Sequence, residues 1–325
     1  VSKIKPVFIF SLPRSGSTLL QRILGCHTEI DTCAEPWVLL PPAFGTRGNL
    51  YAEYGHETAR KGLEDFIAKL GEGDQAYADA LYAYGSTLYE RAAEDSATYF
   101  VDKTPRYHLI ADQIIDAFPN AKFIFLWRNP LSIAASISNT WCNGHWHFGH
   151  YKIDLFKGIK NLTKIAQKYG PQKTYEVKYE KILKEKNNEI RQILDYIGTN
   201  EYLKVGKNNL GKEVEGRLGD PTGIEEYSQI SKEPIEKWKN SVVNSIRKKW
   251  CLRYIKWIGK ERLDYMGYEI KNMEKEIRSI EVGYSNTVKD MFYSFVEKFR
   301  PWVHPSIQKK YFEKYKNGEC LYEVY

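Results

Sequence analysis

Val7-Phe8-Ile9-Phe10-Ser11-Leu12-Pro13-Arg14-Ser15-Gly16-Ser17-Thr18-Leu19-Leu20 is the stretch that decides the fold. Its first four residues are apolar, and they stop at Ser11-Leu12-Pro13. A short run of aromatic and β-branched residues bounded in this way reads as a strand buried on both faces. A Gly/Ser turn follows, and Leu19, Leu20, Ile23 and Leu24 then recur at helical spacing. Strand, turn and helix in that order open an α/β unit. The backbone N–H groups of such a turn, with the positive end of the helix behind them, make an anion site. Gly16 lets the backbone approach a phosphate, Ser15, Ser17 and Thr18 add hydroxyl donors, and Arg14 adds a rigid cationic fork. The loop that binds ATP or GTP with Mg²⁺ needs lysine where Ser17 stands, which argues against that hydrolysis.

Outward from this stretch, Lys122-Phe123-Ile124-Phe125-Leu126-Trp127 is the clearest buried strand. Arg128-Asn129-Pro130 closes it, with Pro130 in the first turn of the next helix, where proline is tolerated. Residues 99–101 and 174–178 read as further strands, and residues 57–95, 107–117 and 180–197 as helical. The alternation predicts an α/β fold: a P-loop-like, mostly parallel sheet flanked by helices. Residues 206–232 read as a long loop of the kind that is functional. Apolar positions 243, 246, 250, 254 and 257 mark a helix whose other faces carry Arg247, Lys248, Lys249, Arg253, Lys256 and Lys260. The expected organisation is one α/β domain over residues 1–270, with a helical C-terminal extension, residues 271–325, packed on it.

The 325 residues are 42% hydrophobic and 27% charged, which excludes disordered, collagen-like and low-complexity classes. No apolar run reaches the roughly 18 residues of a membrane span. Cys26, Cys33, Cys142, Cys251 and Cys320 form no CxxC pair and read as reduced thiols of a cytoplasmic protein without a signal peptide. The net charge of +7 is uneven: residues 1–150 hold 13 basic against 16 acidic residues, and residues 151–325 hold 35 against 25. Residues 237–262 alone hold nine basic and one acidic, so the surplus reads as one solvated helix face rather than a nucleic-acid surface.

The octapeptide from Pro13 to Leu20 resembles the 5′-phosphosulfate loop of sulfotransferases that use 3′-phosphoadenosine 5′-phosphosulfate (PAPS) as sulfonate donor. Arg128, ending a strand, and Ser136, two helical turns on, resemble that family's 3′-phosphate motif. Asp102-Lys103-Thr104-Pro105, and the segment running on to Phe123, resemble its bacterial and tyrosylprotein branch. Tyr179-Glu180 and the region around Trp238 resemble its later nucleotide-contacting segments. The resemblance implies PAPS as donor, PAP as product and no metal. Arg14, Ser15, Gly16, Ser17, Thr18, Arg128, Ser136, Tyr179 and Trp238 would bind the nucleotide, and Lys103 and Arg14 would face the bridging oxygen.

The same branch carries a glutamate at the offset of Glu35, where it acts as base. Pro36 and Trp37 partly desolvate a carboxylate at that position, which suits it to take a proton. The competing base is His145, in a stretch that also holds His147 and His150. That spacing would need a fourth ligand to hold zinc, and the expectation is no metal. The expected partner is a small-molecule hydroxyl or amine acceptor, with tyrosyl and carbohydrate acceptors open, as is the oligomeric state. A non-catalytic binder of polyanions or membranes through the aromatic and basic residues 292–312 is the rival from another class.

Overall fold

The computed structural model describes residues 3–44, 56–200 and 235–303. In chain order, β1 (Lys5–Phe10), α1 (Ser17–Leu24), β2 (Ile30–Thr32), α2 (Leu40–Phe44), α3 (His56–Ile67), α4 (Asp74–Ala92), β3 (Tyr99–Asp102), α5 (Ala111–Ala117) and β4 (Lys122–Trp127) begin a first compact unit. α6 (Pro130–Trp141) belongs to a second. The chain returns to the first unit for α7 (Ile159–Tyr169), β5 (Thr174–Lys178), α8 (Tyr179–Lys184) and α9 (Lys186–Ile197). It completes the second with α10 (Ser245–Ile258), α11 (Lys260–Tyr265), α12 (Ile270–Ser279) and α13 (Thr287–Val303). The expected boundary at residue 270 lies within the second unit. The long loop expected over 206–232 lies outside the described residues.

In the first unit five strands pair in parallel in the order β2-β3-β1-β4-β5. β1 takes the centre because both of its faces are apolar: Val7, Phe8 and Ile9 are completely buried. Phe8 stands beside Phe123 in the register, their rings stacked at 5.8 Å, and meets Phe118 edge-on at 5.2 Å. The helix expected over 107–117 is interrupted. A 3₁₀ turn over Pro105–Leu109 ends at Ile110, whose φ of −134° is not helical, and α5 starts after it.

Parallel strands put all their carboxyl ends on one edge, and each strand delivers one candidate residue there. Arg14 follows β1, Glu35 follows β2, Lys103 follows β3, Arg128 follows β4 and Tyr179 follows β5. In open α/β sheets this edge is where ligands bind.

In the second unit α10 starts at Asn244, whose side chain accepts from the N–H groups of Ile246 and Arg247 at 3.0 Å each. Its buried stripe is Arg247, Cys251, Tyr254, Ile255 and Ile258. This corrects the expectation that Arg247 lies on a solvated basic face. Asp290, 43 residues downstream on α13, supplies a counter-charge at 2.7 Å from the Arg247 Nε. The guanidinium also donates to the carbonyls of Ser241 and Gly144, at 2.9 Å each, and lies 5.2 Å from the Trp146 ring centre. A charge so deeply buried is tolerated only with such a set of partners. Lys239 pairs with Glu236 and Glu276, and Lys260 with Asp264, so the basic surplus of this region is partly neutralised locally. Among the described residues no helix is long and apolar enough to cross a membrane.

Candidate active site

The loop between β1 and α1 is built around two left-handed residues. Arg14 has φ +65° and Gly16, the residue capping α1, has φ +86°. The turn is closed by the Ser15 N–H donating to the Leu12 carbonyl at 3.3 Å. Ser11 and Ser15 are buried, and among the described residues their hydroxyl oxygens have no hydrogen-bond partner. A buried polar atom left unpaired costs about 1–3 kcal/mol, so two of them in the loop that leads into a helix suit an anionic ligand. α1 leaves its first N–H groups available for the same ligand. These residues fit a phosphosulfate group.

Tyr179 forms the floor of the loop. A Cβ on Gly16 would lie 2.2 Å from Tyr179 Cε2, so the ring and the glycine backbone are in direct contact. The Arg128 guanidinium lies 4.4 Å from the centre of the same ring, and its Nη1 donates to the Arg14 carbonyl at 2.7 Å. Arg14, Gly16, Arg128 and Tyr179 are thereby brought together from three strand ends. Tyr179 is buried and supports the loop from beneath, a packing role that the motif by itself does not reveal.

The second cluster lies at the ends of β2 and β3. Lys103 Nζ donates to Glu35 Oε1 at 2.8 Å, with the lysine side chain 1% exposed and the glutamate 15%. The Trp37 indole N–H donates to the other carboxylate oxygen at 3.3 Å. Glu35 therefore precedes α2 as part of an irregular loop rather than capping a helix. Trp37 holds φ at +56°, a conformation that costs a bulky residue about 1–3 kcal/mol and that surrounding contacts must enforce. Asp102 beside Lys103 is completely buried, and burial pushes its carboxyl up to about 6. It accepts from the hydroxyls of Tyr89 at 2.6 Å, Tyr107 at 2.9 Å and Thr104 at 3.0 Å. The sequence marks Lys103 and passes over Asp102; the only signal was its place in the same tetrapeptide. Burial pushes the Cys33 thiol up to about 11, which keeps it protonated and weakly nucleophilic next to Glu35.

Ser136, His145 and Trp238 belong to the second unit. Ser136 lies half-buried on α6. Trp238 is 3% exposed in a 3₁₀ turn over Lys237–Ser241, and its indole N–H has no hydrogen-bond partner among the described residues. His145 and His147 both pack against the ring of Tyr293, at 5.1 Å each, so the histidine-rich stretch is organised by ring packing. Among the described residues no three His, Cys, Asp or Glu side chains form a group able to hold a metal ion. Among the described residues Cys26, Cys33, Cys142 and Cys251 form no disulfide.

A family model described as "Sulfotransferase family" matches residues 6–202, a stretch that takes in the loop, the Glu35–Lys103 pair, Arg128 and Tyr179. The chain belongs to the sulfotransferase family. Nodulation protein NoeE of Sinorhizobium fredii is 28% identical over 212 residues, covering 59% of this chain and 49% of that protein. Protein-tyrosine sulfotransferase 2 of Gallus gallus is 23% identical over 257 residues, covering 78% of this chain and 63% of that protein. The match thus takes in about half of NoeE and under two thirds of the Gallus gallus protein. Among solved structures, the sulfotransferase domain from the curacin biosynthetic pathway superposes with a TM-score of 0.52 at 18% identity. That superposition covers 83% of this chain and 100% of the other. At that identity the likeness is one of fold, and it agrees with the parallel five-stranded sheet.

Proposed function

We propose that this sulfotransferase moves a sulfonate group from PAPS to a hydroxyl or amine of a small-molecule acceptor and releases PAP. The observation that carries the reading is the Glu35–Lys103 ion pair on the same strand edge as a phosphate-type loop with two unpaired buried hydroxyls. Arg14, Ser15, Gly16, Ser17 and Thr18 hold the 5′-phosphosulfate. Arg128 and Ser136 take the 3′-phosphate, an assignment that rests for Ser136 on the sequence motif. Tyr179 braces the loop, and Trp238 lines the nucleotide by the same motif reading.

Glu35 takes the proton of the acceptor as its oxygen or nitrogen attacks sulfur in line. The sulfur–oxygen bond to the nucleotide breaks, and negative charge grows on the bridging oxygen. Lys103 and Arg14 meet that charge with N–H donors, and such groups act most strongly when they are preorganised. Side-chain cations carry the neutralisation, so the scheme requires no metal. His145 is the alternative base, but its ring packs on Tyr293. A tyrosyl acceptor is the second reading, favoured by the similarity to the Gallus gallus protein named for that substrate. The free, dispersed thiols fit a reducing compartment such as the cytoplasm.

The test is a melting-temperature titration with adenosine 3′,5′-bisphosphate. A ligand that binds only the folded state at 100 times its Kd stabilises by about 2.7 kcal/mol, which raises the midpoint by several degrees. A midpoint that does not move at saturating nucleotide sinks the reading and leaves a non-catalytic binder of polyanions or membranes.

Gly16→Ala sharpens the same test. The substitution places a Cβ at φ +86° against the Tyr179 ring, so the loop must open to accept it. Affinity for the bisphosphate is expected to fall at least ~10-fold, equivalent to about 1.4 kcal/mol, with the circular dichroism spectrum retained. Unchanged affinity in a calorimetric titration would show that the loop does not hold the nucleotide.

A further inference from the structure

The loop that carries Glu35 is held by hydrogen bonds on both sides of that residue. On one side the Gln21 side chain donates to the Cys33 carbonyl at 2.7 Å and to Thr32 Oγ1 at 2.8 Å. On the other side, the Trp37 N–H donates to Thr104 Oγ1 at 3.3 Å, and the Leu39 N–H donates to the Tyr107 hydroxyl at 3.2 Å. The Thr104 and Tyr107 hydroxyls also donate to Asp102, beside that of Tyr89.

A hydroxyl has one proton and two lone pairs. Asp102, an acceptor on both oxygens, takes the proton of each of these hydroxyls and so turns a lone pair toward the loop. Asp102 has three hydroxyl donors and no exposure, and both hydroxyls are buried with it, so water cannot substitute. Burial raises its carboxyl to about 6, while the three hydroxyl donors favour the ionised, accepting form. The left-handed Trp37, whose indole bonds Glu35, lies at one of the two tethered N–H groups.

We propose that Asp102 is a positioning residue: through Thr104 and Tyr107 it fixes the residue 35–39 segment, so that Glu35 is held opposite Lys103. The proposal rests on the reading of Glu35 as the base for its effect on turnover, but the positioning itself does not. It gives the first residue of the Asp102-Lys103-Thr104-Pro105 motif a defined task. The motif then supplies a cation for the leaving oxygen and the anchor for the base from one strand end.

The experiment has two arms. The first measures residue-resolved amide hydrogen exchange of the full chain in wild type and in Thr104→Val, Thr104→Ser, Tyr107→Phe and Asp102→Asn. Exchange at Trp37 is expected to accelerate at least ~10-fold in Thr104→Val, and at Leu39 in Tyr107→Phe. Asp102→Asn accelerates both, and Thr104→Ser stays near wild type. Protection at Trp37 and Leu39 unchanged in Thr104→Val and Tyr107→Phe overturns the proposal, whatever the role of Glu35.

The second arm measures steady-state turnover with ³⁵S-labelled PAPS and whichever acceptor of a test panel is sulfonated fastest. Thr104→Val is expected to lower kcat about 10- to 100-fold with the KM for PAPS within threefold, and Thr104→Ser restores kcat. A parallel rise in KM and loss of melting temperature, with kcat kept, marks a merely structural contact and also overturns the proposal. Glu35→Gln with full turnover sinks the base reading alone, and the exchange arm still stands as the test of the tether.

Discussion

Glu35→Gln is expected to fold, to bind adenosine 3′,5′-bisphosphate as the wild type does, and to lose turnover by about two to four orders of magnitude. That is the range removed when a positioned general base is deleted. The substitution is nearly isosteric. Its amide oxygen still accepts from Lys103, which is 1% exposed and would otherwise be left as a buried cation without a partner. Removing an acceptor from a buried pair outright costs about 3–5 kcal/mol, so Glu35→Ala confounds stability with chemistry more than glutamine, which gives up the charge and the second acceptor that Trp37 uses. Glu35 and the phosphate loop follow different strands, and no hydrogen bond of the Glu35 carboxylate reaches the loop among the contacts described above. Nucleotide affinity should therefore be kept within about threefold, on the scale where tenfold is 1.4 kcal/mol. Quenched-flow or steady-state sulfonate transfer, beside a calorimetric titration, separates the two quantities.

Lys103→Met is expected to lower kcat about 10²- to 10³-fold, the loss seen when one preorganised donor to a developing oxyanion is removed. Methionine fills the buried slot without the charge, so packing is largely conserved. Lys103→Arg should not rescue the rate. The side chain lies in a closed space, and a planar guanidinium is wider than an ammonium and presents its donors in a different plane. The remaining carboxylate of Glu35 has 15% of its side chain exposed and keeps the Trp37 indole, so the melting temperature should fall only modestly. A Lys103→Met protein with wild-type kcat would remove the lysine from the chemistry.

The two predictions lean on different parts of the sequence, and these were not equally legible. β1 and β4 were visible because a strand buried on both faces reads as a continuous apolar run, and the loop after β1 was visible because its glycine and serines are contiguous. The candidate residues at all five strand ends lie in contiguous motifs that a sequence shows without its fold. β2 was not visible: three residues, Ile30-Asp31-Thr32, are too few to show a period. The rotation of α10 was missed for another reason. The apolar pattern at 243, 246, 250, 254 and 257 is real, yet Arg247 joins Cys251 on the buried stripe because Asp290, 43 residues downstream, pairs with it. A buried ion pair of high sequence separation leaves no local trace.

The Asp102 network failed to show for the same reason. Tyr89, Tyr107 and the Trp37 N–H converge on one tetrapeptide only in the folded chain, and the Leu39 N–H reaches it through the Tyr107 hydroxyl. The tetrapeptide itself was legible as a motif; the work done by its first and third residues was not. Tyr179 shows the converse. Its motif pointed to the nucleotide, and the contact found is with the glycine that shapes the loop.

The most direct measurement is sulfonate transfer from ³⁵S-labelled PAPS to a panel of phenols, alcohols, amines and sugars, with PAP release followed in the same reactions. The wild-type protein should label at least one acceptor class, with one PAP released per labelled product. Glu35→Gln and Lys103→Met should bind the nucleotide and label the acceptor at least ~100-fold more slowly. Transfer that persists undiminished in both variants, or nucleotide binding to the wild type with no acceptor of any class labelled, would contradict the assignment of this strand edge as the sulfonate-transfer site.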